Sequence, residues 1–199
     1  MITRKEMTRM LLKEGLLSWL ANNSFESVTV TSLCKASGIT RSTFYLHYSN
    51  IMEIVDDLVD DAIAYSKPGM VDNNNLQTIA NTLSAASNSV SLREAYDSIF
   101  DRLPLCQRII RHKKYLPLFL DEQISEYVLQ RIIGREKDRQ GLVIAESLGV
   151  SFDVGVSVFV FLVHGLYAVN KQYKWSQSDE WLEAQKVIFE LVCRGLHRK

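Results

Sequence analysis

Cysteine and proline are scarce here, with three of each in 199 residues, and there are only nine glycines. Cys34, Cys106 and Cys193 are an odd, scattered set, with no CxxC pair and no histidine at metal-ligand spacing. Reduced thiols are expected, with neither a disulfide framework nor a metal site. So little proline and glycine excludes collagen-like, proline-rich and glycine–serine linker material. Net charge is absent as well, since 23 Lys and Arg meet 23 Asp and Glu. Apolar residues make up 47%, too many for a disordered chain. Long hydrophobic runs are missing too. The longest, Gly155 to Val169, is about 15 residues with His164 inside it, short of the roughly 20 a membrane span needs. It predicts a buried core helix and no membrane partner. The start, Met1-Ile2-Thr3-Arg4-Lys5-Glu6, has no signal-peptide core, so the cytoplasm is the expected location. No glycine-rich phosphate loop, paired His/acid metal motif or nucleophile elbow occurs. No enzymatic activity, catalytic residue or cofactor is therefore expected.

The neutral total conceals an uneven distribution. Residues 1–50 carry six bases and three acids, a balance of +3. Residues 51–66 carry no base and five acids (Glu53, Asp56, Asp57, Asp60, Asp61), and the remaining 133 residues stand at +2. Such asymmetry suits a local anionic partner that net charge hides. It also suits ordinary fluctuation.

What is present is helical periodicity. Leu12, Leu16, Trp19 and Leu20 form the stripe of a helix from about Thr3 to Asn22. Thr29 suits an N-cap, with Val30, Leu33 and Cys34 on one face of a short helix that Gly38 ends in the left-handed conformation. Thr40 caps a second short helix, Arg41 to about Tyr48. Ile51, Ile54, Val55, Leu58 and Ile63 stripe a helix from Asn50 to about Tyr65, with acids on its other face. The turn-forming residues from Lys67-Pro68-Gly69 to Asn73-Asn74-Asn75 make the best boundary. Further helices are predicted at about 75–89, 92–103, 105–113, 117–133, 140–148, 152–172 and 179–197, punctuated by Pro104 and Pro117. No strand is predicted.

Two short helices joined by a glycine turn suit a helix-turn-helix, whose second helix lies in the DNA major groove. Here that helix reads Thr40-Arg41-Ser42-Thr43-Phe44-Tyr45-Leu46-His47-Tyr48. Phe44 and Tyr48, four residues apart, can pack inward. Arg41, Ser42, Thr43, Tyr45 and His47 then face outward. Hydroxyls, a guanidinium and helix-N-terminal amides bond phosphates, and arginine reads guanine. A plain helical hairpin with a polar face fits the same pattern.

The run Phe25-x-x-Val28-Thr29-Val30-x-x-Leu33-Cys34-x-x-Ser37-Gly38-Ile39-Thr40-Arg41-Ser42-Thr43-Phe44-Tyr45-Leu46-His47-Tyr48 resembles the N-terminal signature of TetR/AcrR-family transcriptional regulators. The match covers about residues 4–60. It implies an all-α protein. A three-helix DNA-binding domain would occupy residues 1–49, a connecting helix 50–66, and a helical dimerisation and effector-binding domain 67–199. The implied function is sequence-specific regulation of transcription, as a repressor relieved by a small-molecule effector. An activator, an effector-independent regulator and a helical interaction module without DNA binding stay open. Residue by residue, the resemblance puts Thr31 and Arg41 on bases, and Ser42, Thr43, Tyr45 and His47 on phosphate or adjoining bases. Thr29 caps the motif. Thr40, Tyr48 and Asn50 complete the DNA-facing set. At Ile51 the family usually has a Lys that bonds phosphate, a bond that Asn50 would partly supply here. Cys34 and Ser37 stand at positions that are usually Ala.

The implied partners are a near-palindromic double-stranded DNA operator, a second copy of the chain and an effector. Val154, Val158, Phe161 and Gly165, with Leu182, Phe189, Val192 and Leu196, are the expected dimer interface, because a helix apolar all round must be buried on both sides. Closing a monomer core is the alternative. Tyr96, Phe100, Tyr115, Phe119, Phe159, His164 and Tyr167 are the candidate pocket, though aromatics at helical spacing also fit plain core. The basic run Arg108, Arg111, His112, Lys113 and Lys114 suits either an anionic effector or a solvated helix end. Asp56, Asp57, Asp60 and Asp61 suit repulsion of misplaced phosphate, or a solvated acidic face.

Overall fold

The computed structural model describes residues 3–66, 75–103, 107–108 and 113–196. It is all-helical, without strands among those residues. The predicted helix at 105–113, the loop after Ser66 and Pro104 lie largely or wholly outside them, as do Cys106, Arg111 and His112.

The chain divides into two compact units. The first joins Met1–Tyr65 to Arg111–Gly134, and the second joins Ser66–Ile110 to Arg135–Lys199. The first stretch of the first unit ends at Tyr65, and the chain returns to that unit over 111–134.

In the first unit, α1 (Arg4–Leu20) starts at a capping box in which Thr3 and Glu6 satisfy each other's backbone amides. It buries Leu12, Leu16, Leu17 and Leu20. A 3-10 turn at Phe25–Ser27 leads to α2 (Val30–Ser37), α3 (Arg41–Tyr45) and α4 (Ile51–Ser66). The helix predicted at 117–133 is instead two, α7 (Leu116–Leu120) and the start of α8 (Ser125–Leu148). Asp121 makes the break. Its Oδ1 accepts the amides of Gln123 and Ile124, at 2.9 and 3.3 Å, a side-chain turn that competes with helix. The helices predicted at 117–133 and 140–148 are then joined, because Arg135 to Gln140 continue α8 as a polar face.

In the second unit, α5 (Asn75–Ser84), α6 (Ser89–Ser98), α9 (Phe152–Gln172) and α10 (Asp179–Leu196) enclose a core. That core includes Ile79, Leu83, Leu92, Tyr96, Leu166, Trp181, Leu182 and Phe189. Two glycines allow a close crossing of α8 and α9. A Cβ on Gly155 would lie 2.2 Å from the Gly141 carbonyl oxygen. Gly149 ends α8 in the left-handed conformation at φ 64°. Between α9 and α10, Lys174 and Trp175 hold φ of 49° and 57°, a strained backbone for residues with side chains.

The apolar helix α9 is not buried on both sides. Val163 and Leu166 are covered, whereas Val154 and Phe161 are 46% and 71% exposed. At 21 residues and with a window of mean hydropathy 1.9, it is long and apolar enough, by length and composition, to cross a membrane.

Candidate nucleic-acid interface

Local chemistry alone accounts for the two short helices. The Thr29 hydroxyl accepts the Ser32 amide at 3.0 Å, and the Ser32 hydroxyl accepts the Thr29 amide at 2.9 Å. This capping box starts α2 where β-branched residues would otherwise favour extended chain. Gly38 at φ 67° ends it, with the Ile39 amide donating to the Cys34 carbonyl at 2.9 Å. The Thr40 hydroxyl then accepts the Thr43 amide at 3.2 Å and starts α3. Behind these helices Leu33 and Phe44 are completely buried. Cys34 is also buried, and burial pushes its thiol above the ordinary range.

The outer surface presents Thr29, Thr31, Thr40, Arg41, Ser42, Tyr45 and Asn50 to solvent, with Thr43 and His47 half-buried. Tyr45 is 53% exposed and its neighbour Leu46 is 80% exposed. Several of these hydroxyls are engaged locally, since Thr40 meets both Ser42, at 3.0 Å, and Thr43, at 2.8 Å. Asn50 Oδ1 accepts the Glu53 amide at 3.1 Å and so starts α4. Its carbonyl is a helix cap, which leaves its amide nitrogen for any other contact. Ile51 is half-buried.

Tyr48 is placed differently from the rest of the predicted DNA-facing set. It is 3% exposed, and its hydroxyl donates to Asp57 Oδ2 at 2.6 Å. The ring packs on Phe44 with centroids 6.2 Å apart. Tyr48 is therefore a strut between α3 and α4. Burial first, then the Asp57 carboxylate, pushes its hydroxyl well above the ordinary tyrosine range.

Four acids of α4 are paired with side chains of neighbouring helices. Asp57 also binds Arg9, whose Nε donates to Oδ2 at 3.0 Å. Asp61 pairs with Lys13. Asp56 accepts the Tyr127 hydroxyl at 2.6 Å and pairs with Arg131 at 3.0 Å, and Asp60 is 3.7 Å from the same guanidinium. The acids thus tie α4 to α1 on one side and to α8 on the other. Burial pushes the Asp57 carboxyl up, but Tyr48 and Arg9 outweigh it and hold the group below the usual carboxylate range. Lys114, from the predicted basic cluster, pairs with Glu14 at 2.6 Å, and Arg108 is buried.

Sequence reasoning missed Asp121. Its Oδ2 accepts the Phe25 amide at 2.7 Å, holding the segment that leads into α2 from 96 residues away. A groove of about 520 Å³ in this unit is lined by Glu6, Met10, Lys13, Glu14, Leu58, Asp61 and Lys114, none of them in the predicted pocket.

The predicted pocket residues divide between the two units. Tyr115 and Phe119 belong to the first unit, and Tyr96, Phe100, Phe159, His164 and Tyr167 to the second. Leu182 and Phe189, expected at a dimer interface, are 2% and 1% exposed within the core of the second unit, so packing against the chain's own helices takes them out of reach of a partner. Among the described residues, the large apolar side chains that α10 exposes are Val187 and Leu191. Val158 and Val192 are half-buried, Gly165 is exposed, and the Leu196 side chain lies outside the described residues.

Comparison with known proteins yields no relative: no family model, curated protein or solved structure matches the chain.

Proposed function

We propose that the chain is a dimeric, sequence-specific DNA-binding regulator of transcription of the TetR/AcrR type, acting in the cytoplasm as a repressor that a small molecule releases, and not an enzyme. One observation carries this reading. Two capped short helices meet at a left-handed glycine, and the second displays Arg41, Ser42 and Tyr45 outward while Phe44 anchors it from behind. A helix held in this way is suited to the major groove, where Arg41 and Thr31 would read base edges and Ser42, Thr43, Tyr45 and His47 would bond phosphates. Tyr48 leaves that set, and the role of Asn50 is reduced to its amide nitrogen.

Two copies are needed to reach successive major grooves, roughly 34 Å apart. Val154 and Phe161 on α9 and Val187 and Leu191 on α10, all exposed, are the apolar groups offered to the second copy, since large exposed apolar groups mark interaction surfaces. The neutral total charge is no obstacle. The acids of α4 are bound by their own bases, and Arg4, Lys5, Lys35 and Arg41 stay exposed.

The test is a gel shift on the DNA flanking its own gene, at low and high salt, alongside selection from random duplexes. A specific, salt-sensitive shift is expected, and the absence of one in both formats overturns the reading.

A further inference from the structure

Among the buried polar side-chain atoms of the second unit that lack a hydrogen-bond partner in the described residues, three belong to neutral donors. They are Nδ2 of Asn170, Nε2 of Gln185 and the hydroxyl of Tyr167. Asn170 and Gln185 are 0% exposed and Tyr167 is 7% exposed. The orientation of Asn170 is forced. An indole N–H can only donate, and that of Trp181 donates to Asn170 Oδ1 at 2.8 Å. The amide nitrogen is therefore the end left unused. Gln185 lies one turn beyond Trp181 on α10, and its Oε1 accepts from Gln107 at 3.1 Å. Gln107 in turn accepts the Tyr96 hydroxyl at 3.2 Å, and Tyr96 meets Trp181 edge-on at 5.1 Å. Tyr167 lies one turn before Asn170 on α9, with its ring against Trp175 at 5.5 Å.

Buried donors are nearly always satisfied, so a cluster of unused ones calls for a missing acceptor. We infer that Asn170, Gln185 and Tyr167 form a binding site for a flat, uncharged compound bearing carbonyl oxygens. The donors themselves are neutral and supply no charge to compensate a buried anion. The surrounding aromatic edges favour a π-face. The strained turn at Lys174 and Trp175 borders Tyr167 and is the element that would yield to admit the ligand, since such backbone collects at ligand clamps. The inference rests on the second unit being the sensing half of the proposed regulator, and it names the chemistry sensed there.

The full chain is tested without DNA, so this result and the DNA-binding result stand or fall separately. Thermal unfolding and tryptophan fluorescence are followed with three probes. Coumarin has a carbonyl acceptor, indole is of similar size but only donates, and 2-naphthoate is an anion. Coumarin is expected to raise the melting temperature and perturb the fluorescence, with indole and 2-naphthoate inert. Tyr167→Phe removes a hydroxyl that has no partner in the free protein. It should melt at or above the wild-type temperature yet bind coumarin about tenfold more weakly, the loss of one hydrogen bond. Asn170→Asp keeps an acceptor for Trp181 and removes the amide donor, so it too should lose coumarin binding while folded. No effect of coumarin, an equal effect of indole, preferred binding of 2-naphthoate, or unchanged affinity in Tyr167→Phe each overturns the inference. A clear drop in the melting temperature of Tyr167→Phe does so as well, because the hydroxyl would then already be satisfied by buried water.

Discussion

The Tyr48 hydroxyl donates to the Asp57 carboxylate at 2.6 Å, and Arg9 engages the same carboxylate while lying 5.0 Å over the Tyr48 ring. Two helices and the turn between α3 and α4 thus meet at one oxygen: α1 through Arg9, the turn through Tyr48, and α4 through Asp57. Neutralising Asp57 loosens the seat of α3 without touching its outer face.

Acid should reveal this junction. The Asp57 carboxyl is held below its unfolded value of about 3.9. Its contribution to stability is therefore complete above that pH and is lost as pH falls through the lower folded value. In urea titrations between neutral pH and acid, Asp57→Asn should be less stable than wild type at pH 7 and lose less on acidification. Tyr48→Phe should cost about 1.5–3 kcal/mol, the range for one hydrogen bond to a charged group. Equal pH slopes for wild type and Asp57→Asn would count against the junction.

Asp121 offers a cleaner cut. Asp121→Asn keeps Oδ1 for the Gln123 and Ile124 amides but turns an NH2 group toward the Phe25 amide. Two donors then face each other. The expected result is a loss of about 1–3 kcal/mol, with faster hydrogen exchange at Phe25 and no loss of helix by circular dichroism. Unchanged exchange at Phe25 would show that the contact does not hold the entry to α2.

Gly155 and Ser37 should respond in opposite ways. A Cβ at Gly155 meets the Gly141 carbonyl oxygen at 2.2 Å and Ala145 Cβ at 2.8 Å. Backbone cannot step aside, so Gly155→Ala should destabilise by about 1–3 kcal/mol or more. The Ser37 hydroxyl is buried without a partner among the described residues, so Ser37→Ala should be neutral or stabilising. Chemical denaturation of both variants tests the pair.

On the proposed DNA face, Tyr45→Ala should weaken binding to all sequences. Arg41→Ala should cost about 1–3 kcal/mol and relax specificity at the base it reads. Binding isotherms on specific and scrambled duplexes at several salt concentrations separate the two effects. If Tyr45→Ala leaves both affinity and salt slope unchanged, the recognition helix has been oriented wrongly.

The sequence by itself determined the local structure. Thr29, Gly38 and Thr40 act within four residues of themselves, through caps and a left-handed φ, so α2 and α3 could be placed to within a residue at their starts. The apolar stripes of α1 and α4 set which faces turn inward, because period alone fixes a helical face. Tertiary structure decided the partners. Whether the acids of α4 meet water, phosphate or their own chain depends on Arg9, Lys13, Tyr127 and Arg131, which lie far along the chain on other helices. Periodicity likewise marks Leu182 and Phe189 as buried but cannot say against what, and the fold turns them to the core of their own unit. Asp121 is one acid among many until the chain brings it to the Phe25 amide. A cap acts through neighbours in sequence, but an ion pair or a core contact acts through neighbours in space, and only folding supplies those.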